Sequence, residues 1–78
     1  MNEWRRPTFT GKQIVRMIED EGSSMAQLGR ELDPPVTKTG VRMTVYGISR
    51  SDRIAEKVAS FLRISKEGLW THWYRRAA

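Results

Sequence analysis

The sequence predicts an all-α fold, a compact domain of five helices. Apolar residues recur at the i, i+3 and i+4 spacing of a helix face over residues 14–18 and again over 54–62. Serine or threonine stands before these segments, where it can cap a helix, and glycine or proline stands between them. No repeat or long linker divides the 78 residues, so 1–78 is expected to form one domain with short basic tails at about 1–9 and 72–78.

Two helices are predicted in the first half of the chain. The first covers about residues 11–21 and ends at Gly22, because glycine readily adopts the left-handed conformation that stops a helix. The second begins at a serine cap at 23–24 and is stopped by the prolines of 33–35. Gly29 lies beside the apolar face of this second helix. It either permits a close helix crossing or only weakens the helix, by about 1 kcal/mol.

The next segment, 37–46, is open to two interpretations. Apolar and β-branched residues alternate with polar ones over 41–46, which is typical of a strand. Three apolar residues nonetheless share one helical face: Val41, Val45 and Ile48. Thr37 is a good N-cap and Gly47 a good stop. Because the flanking helices leave a lone strand without a partner, we predict a helix.

A fourth helix is predicted after the cap Ser51. Its apolar stripe consists of Ile54, Val58, Phe61 and Leu62. Ser65 begins one further capped turn, which is expected to pin Leu69 and Trp70 to the core. The aromatic pair at 73–74 is expected to cap the core or to join a dimer interface, where aromatic residues are enriched.

The charge pattern favours a polyanionic partner. The formal net charge is +5 and the isoelectric point is about 10.2. No acidic residue lies between Pro34 and Ser51, a window that contains Lys38, Arg42 and Arg50. A nucleic acid is therefore the expected partner, although a solvated basic surface would give the same composition.

Several function classes are disfavoured. His72 is the only histidine and cysteine is absent, so we expect no enzyme, no metal, no cofactor and no small-molecule substrate. The acidic run 19–21 diverges around a helix and does not converge on one ion. No apolar run approaches the ~20 residues of a membrane span, and the polar start is unlike a signal peptide. We therefore expect a cytoplasmic protein with no membrane partner.

Most of the chain resembles a known family. The matching segments are Trp4 with the basic residues after it, 24–32, 36–41, 53–59 and 65–74. They are similar to lambda-repressor-like helix-turn-helix domains, most of all to the Ner-like regulators of transposable phages. The resemblance implies a five-helix domain that binds double-stranded DNA as a homodimer and represses phage or prophage promoters. The turn departs from the family pattern, because it is longer by Pro34-Pro35.

The recognition helix of such a domain presents its N-terminal side chains to base edges in the major groove. With Thr37 as its cap, the outward positions opposite Val41 and Val45 are the base-contact candidates: Lys38, Thr39, Arg42 and Met43. Arg42 is the candidate for a bidentate contact to guanine. The phosphate-contact candidates flank this helix: Gln27, Arg30, Thr37, Tyr46, Ser49, Arg50 and Ser51. Arg5 and Arg6 are candidates for a DNA-contacting arm, or for a tail without a role.

The alternative is a protein-interaction module, in which the same helices serve as an antitoxin or as a small phage protein that acts on a protein partner. This alternative predicts an exposed apolar patch and binding that depends little on salt. The DNA-binding interpretation predicts instead that log affinity falls linearly with log salt concentration.

Overall fold

The computed structural model describes residues 9–74, and within them all regular structure is helical. The elements are α1 (Gly11–Asp20), α2 (Met25–Arg30), α3 (Lys38–Val45), α4 (Asp52–Leu62) and two single turns, α5 (Lys66–Leu69) and α6 (Thr71–Tyr74). This confirms the all-α prediction. None of the helices in the described part combines the length and the apolar character that crossing a membrane requires.

The first five helices begin at predicted hydroxyl caps. In each, a Ser or Thr oxygen accepts a hydrogen bond from the backbone N–H three residues further on: Thr10, Ser24, Thr37, Ser51 and Ser65. At α1 the cap is reciprocal, because the Gln13 side chain accepts from the Thr10 N–H at 2.9 Å. These caps satisfy N–H groups that have no partner within the helix, so they fix where each helix starts.

Residues 37–46 form a helix with its caps, and the strand interpretation is wrong for them. Thr37 Oγ1 accepts from the Gly40 N–H at 3.2 Å, and Gly47 has a φ of +75° after the last turn. Val41 and Val45 are buried against the other helices, and Thr44 is buried beside them. The Thr44 hydroxyl donates to the Ser49 carbonyl at 3.1 Å, which ties the loop after α3 to the helix.

The predicted apolar stripe of α3 is wrong at Ile48. The helix ends at Val45, and the backbone turns at Gly47, so Ile48 is not carried on the buried face. Its side chain is 66% exposed. Helical spacing of apolar residues predicts which residues share the buried face only within the helix itself, and not beyond its last residue.

Helix α2 ends earlier than the prolines predict. Arg30 is its last residue, and the Gly29 carbonyl then accepts hydrogen bonds from the N–H groups of Leu32 at 3.2 Å and Val36 at 2.9 Å. A Cβ on Gly29 would overlap the backbone carbonyl of Val36. The close approach therefore requires glycine, and it sets how α3 follows α2.

The core lies between α1, α2, α3 and α4 and is closed by the last two turns. Its buried apolar residues are Ile14, Ile18, Met25, Leu28, Val41, Val45, Ile54, Ala55, Val58, Ala59, Leu69 and Trp70. The Trp70 indole N–H donates to the Val45 carbonyl at 3.3 Å, which satisfies its polar atom inside the core. Trp73 and Tyr74 pack against this core from α6, which extends into the segment predicted as a tail.

Candidate nucleic-acid interface

One side of α3 is exposed while the opposite side is buried. Lys38, Thr39 and Arg42 are exposed and together form the basic face of α3. Met43, the fourth base-contact candidate, is half-buried beside them. Burial of the Val41 side of the helix fixes its rotation, so the structure brings these candidates to one surface next to the α2–α3 turn.

The cations of the basic face have no acidic partner among residues 9–74. Ion pairs elsewhere in this part of the chain join Lys57 to Glu31 at 2.9 Å and Arg50 to Asp52 at 3.2 Å. Neither Lys38 nor Arg42 forms an ion pair within these residues. Their charge therefore remains available to a bound anion, which is what a phosphate-rich partner requires.

Arg42 lies over an aromatic ring. Its guanidinium carbon is 5.0 Å from the centroid of the Tyr46 ring, a cation–π distance. The Tyr46 ring in turn packs against the start of α1, where a Cβ on Gly11 would come within 2.5 Å of a ring carbon. Tyr46, a phosphate-contact candidate, is 37% exposed.

Gln27 and Arg30 belong to a hydrogen-bond network on α2. Arg30 donates to the Gln27 side-chain oxygen at 2.7 Å, and the Gln27 amide donates to Glu31 at 2.9 Å. The bond from Gln27, and after it Lys57, lowers the pKa of Glu31. Gln27 therefore uses both ends of its amide within the protein, and what it contributes at this surface is the orientation of Arg30.

Arg50 is held by the closing turn of the chain. Its Nε atom lies 3.2 Å from Asp52, and its guanidinium carbon is 4.5 Å from the centre of the Tyr74 ring. The Tyr74 hydroxyl donates a short hydrogen bond to the same Asp52 carboxylate. That bond and then Arg50 lower the pKa of Asp52, while burial and then the carboxylate raise the pKa of Tyr74.

The remaining candidates are three hydroxyl residues near the ends of α3 and α4 and two arginines near the N-terminus. Thr37 and Ser51 use their hydroxyl oxygens as helix caps, and Ser49 is exposed in the loop after α3. Arg5 and Arg6 lie outside the described residues. Thr37 therefore lies at the start of α3, Ser51 at the start of α4 and Ser49 in the loop between these helices, all at or within the borders of the acid-free window.

Sequence patterns gave no indication of the role of Arg53. Its guanidinium donates to the Pro34 carbonyl at 2.6 Å and so joins the first turn of α4 to the α2–α3 turn. The helical spacing places Arg53 on the exposed side of α4, as observed, but a contact across 19 residues has no signature in that spacing.

Within residues 9–74, no group of three or more His, Asp or Glu side chains could hold a metal ion. No protein-family model, curated protein or solved structure matches this chain.

Proposed function

We propose that this chain is a sequence-specific double-stranded DNA-binding protein, a small Ner-like transcriptional regulator. In this proposal the segment 37–46 enters the major groove as a recognition helix. The observation that carries it is the basic face of α3, where Lys38, Thr39 and Arg42 are exposed without acidic partners among residues 9–74, on a helix whose other side is buried.

The α2–α3 pair supports the proposal as a helix-turn-helix unit. Gly29 permits the carbonyl of Val36 to approach α2 closely, and Arg53 holds the turn through Pro34. A recognition helix must be rigidly placed, because base contacts depend on the geometry of single hydrogen bonds.

Phosphate contacts flank the helix in this proposal. Arg30 and Arg50 are oriented by partners within the protein, so less side-chain entropy is lost when they bind a phosphate. The hydroxyls of Thr37, Ser49 and Ser51 add neutral donors. Binding as a homodimer, and repression of phage or prophage promoters, are proposed from the family resemblance of the sequence.

Selection of bound duplexes from a random DNA pool at about 150 mM salt tests the proposal. We expect one enriched motif, an inverted repeat with half-sites about one helical turn apart if a dimer binds. Arg42→Ala removes one charge from the basic face of α3. Its matched control, Arg16→Ala, removes one charge from the exposed side of α1. If Arg42→Ala no longer enriches the motif while Arg16→Ala still does, the proposed surface is supported. If both variants change the enriched motif equally, the proposed surface is contradicted.

The alternative function, a protein-interaction module, is favoured by one observation. Ile48 is 66% exposed and lies two residues from the part-exposed Tyr46, which gives a small apolar surface. Recovery of no motif, together with binding that vanishes as salt rises, would favour this alternative over DNA recognition.

A further inference from the structure

We propose that Tyr46 is a positioning residue that holds Arg42 for base recognition, and that Gly11 holds Tyr46 in turn. The inference rests on the proposed DNA binding and differs from the expectation that Tyr46 contacts a phosphate. Two helices meet at this point: the start of α1 contacts Tyr46 at the C-terminal cap of α3, and Tyr46 contacts the basic face of α3.

The backbone of Gly11 fixes the ring of Tyr46. A Cβ at this glycine would lie 2.5 to 2.8 Å from three ring carbons, which is inside any allowed contact distance. The ring therefore rests on the glycine backbone with no space for a side chain. Because Tyr46 is also the C-terminal cap residue of α3, its backbone N–H donates to the Arg42 carbonyl at 2.9 Å, and the N–H of the next residue, Gly47, donates to the Thr44 carbonyl at 3.0 Å. Both ends of the residue, backbone and ring, are thus constrained.

The ring holds the guanidinium of Arg42 without occupying its hydrogen-bond donors. The contact is a cation–π contact at 5.0 Å from the guanidinium carbon to the ring centroid, and it commits none of the five N–H donors of the group to an oxygen acceptor. None of those donors has an acceptor within residues 9–74, although Arg30, Arg50 and Arg53 each donate to an acceptor of the protein. Arg42 is therefore pre-oriented and still able to form the bidentate pair with guanine O6 and N7.

The size of the effect follows from the strength of a cation–π contact. At an exposed site such a contact favours the arginine conformer over the ring by about two- to five-fold. Loss of the ring is therefore expected to reduce discrimination for guanine at the base pair that Arg42 contacts by that factor. The whole bidentate pair is expected to contribute a discrimination of at least about five-fold. Affinity for unrelated duplexes is expected to stay within about two-fold.

Substitutions of the ring separate positioning from phosphate contact. The probes are the duplex enriched by the wild-type protein and the same duplex with its guanines replaced one at a time. Tyr46→Phe keeps the ring and removes the hydroxyl, so we expect wild-type discrimination. Tyr46→Leu removes the ring and is expected to lower discrimination for guanine by about two- to five-fold. Gly11→Ala is expected to have the same effect, because the new Cβ displaces the ring. In an Arg42→Ala background, Tyr46→Leu is expected to have no further effect.

A phosphate contact would give the opposite pattern, in which Tyr46→Phe weakens every duplex equally. That result, or full discrimination by Tyr46→Leu, would overturn the proposal. A DNA-free readout accompanies the binding data: the NMR signals of the Arg42 δ protons are expected to show a ring-current shift that Tyr46→Leu abolishes. Circular dichroism checks that each variant is folded. If the wild-type protein enriches no duplex, the proposed DNA recognition is wrong. If it does enrich a duplex but the Tyr46 variants discriminate guanine as well as the wild type, only the positioning role of Tyr46 is wrong.

Discussion

The backbone carbonyl of Val36 occupies the place that a side chain on Gly29 would take. The Val36 N–H donates to the Gly29 carbonyl at 2.9 Å, so the two residues are joined by a hydrogen bond at the closest approach of the turn to α2. The turn between α2 and α3 is therefore packed directly against the backbone of α2. We expect the orientation of the basic face of α3 to depend on that contact.

Replacement of this glycine tests the contact. Helix propensity alone predicts that Gly29→Ala stabilises the protein by up to about 1 kcal/mol. We expect the opposite sign, a fall of about 1–3 kcal/mol in the free energy of unfolding, because the new Cβ overlaps backbone. Urea unfolding followed by circular dichroism measures it. Gly68→Ala is the control, because its Cβ would meet only side-chain atoms at 3.1 and 3.3 Å. Stabilisation by Gly29→Ala would contradict the packing described.

Two arginines are expected to act differently on DNA. Arg42→Ala is expected to lower discrimination between the selected duplex and its guanine-substituted form, by about ten-fold. Arg50→Ala is expected to weaken all duplexes by similar factors and to reduce the slope of log affinity against log salt by about 1. Fluorescence anisotropy titrations at several salt concentrations measure both. Intact sequence preference in Arg42→Ala would show that α3 is not the recognition helix.

The Asp52–Tyr74 hydrogen bond predicts a defined pH window. The pKa of Asp52 is lowered from 3.8, so its contribution to stability is complete above pH 3.8 and is lost as pH falls through the lower folded-state pKa. The pKa of Tyr74 is raised from 10.0, so its contribution is complete below pH 10.0 and is lost as pH rises through the higher folded-state pKa. We expect the Tm difference between wild type and Tyr74→Phe to be constant between these limits and to shrink outside them. A difference independent of pH would contradict the contact.

Local sequence signals predicted much of the fold because they act through local chemistry. Ser and Thr caps specify helix starts, and Gly47 specifies the end of α3 by its left-handed backbone. The end of α4 had no such signal, since Arg63 adopts a φ of 60° that the sequence does not favour. Ile48 was misplaced because the helical spacing was extended past Gly47, where α3 had already ended.

The exposed charges of the candidate site were predictable from the sequence, and the contacts that orient them were predictable only where both residues belong to one helix face. The absence of acidic residues between Pro34 and Ser51 is visible in the sequence itself, and it indicates Lys38 and Arg42 as free cations. Gln27 orients Arg30, and Tyr46 contacts Arg42, at the spacings of neighbours on one helix face, which the sequence does show. Tyr74 contacts Arg50 from a distant part of the chain, and a contact of that kind depends on how the helices meet, which periodicity within one helix does not record.

Arg53 provides the last prediction, because it joins α4 to the α2–α3 turn. Removal of its hydrogen bond to the Pro34 carbonyl in Arg53→Ala is expected to lower the free energy of unfolding by about 0.5–1.5 kcal/mol. Arg53→Lys keeps a donor and is expected to recover part of the loss, whereas Arg16→Ala, on the exposed side of α1, is expected to be neutral. Amide hydrogen exchange gives the decisive measurement, since release of the turn is expected to speed exchange at the Val36 N–H more than at Trp70. Unchanged exchange at Val36 would show that the turn is held by Gly29 alone.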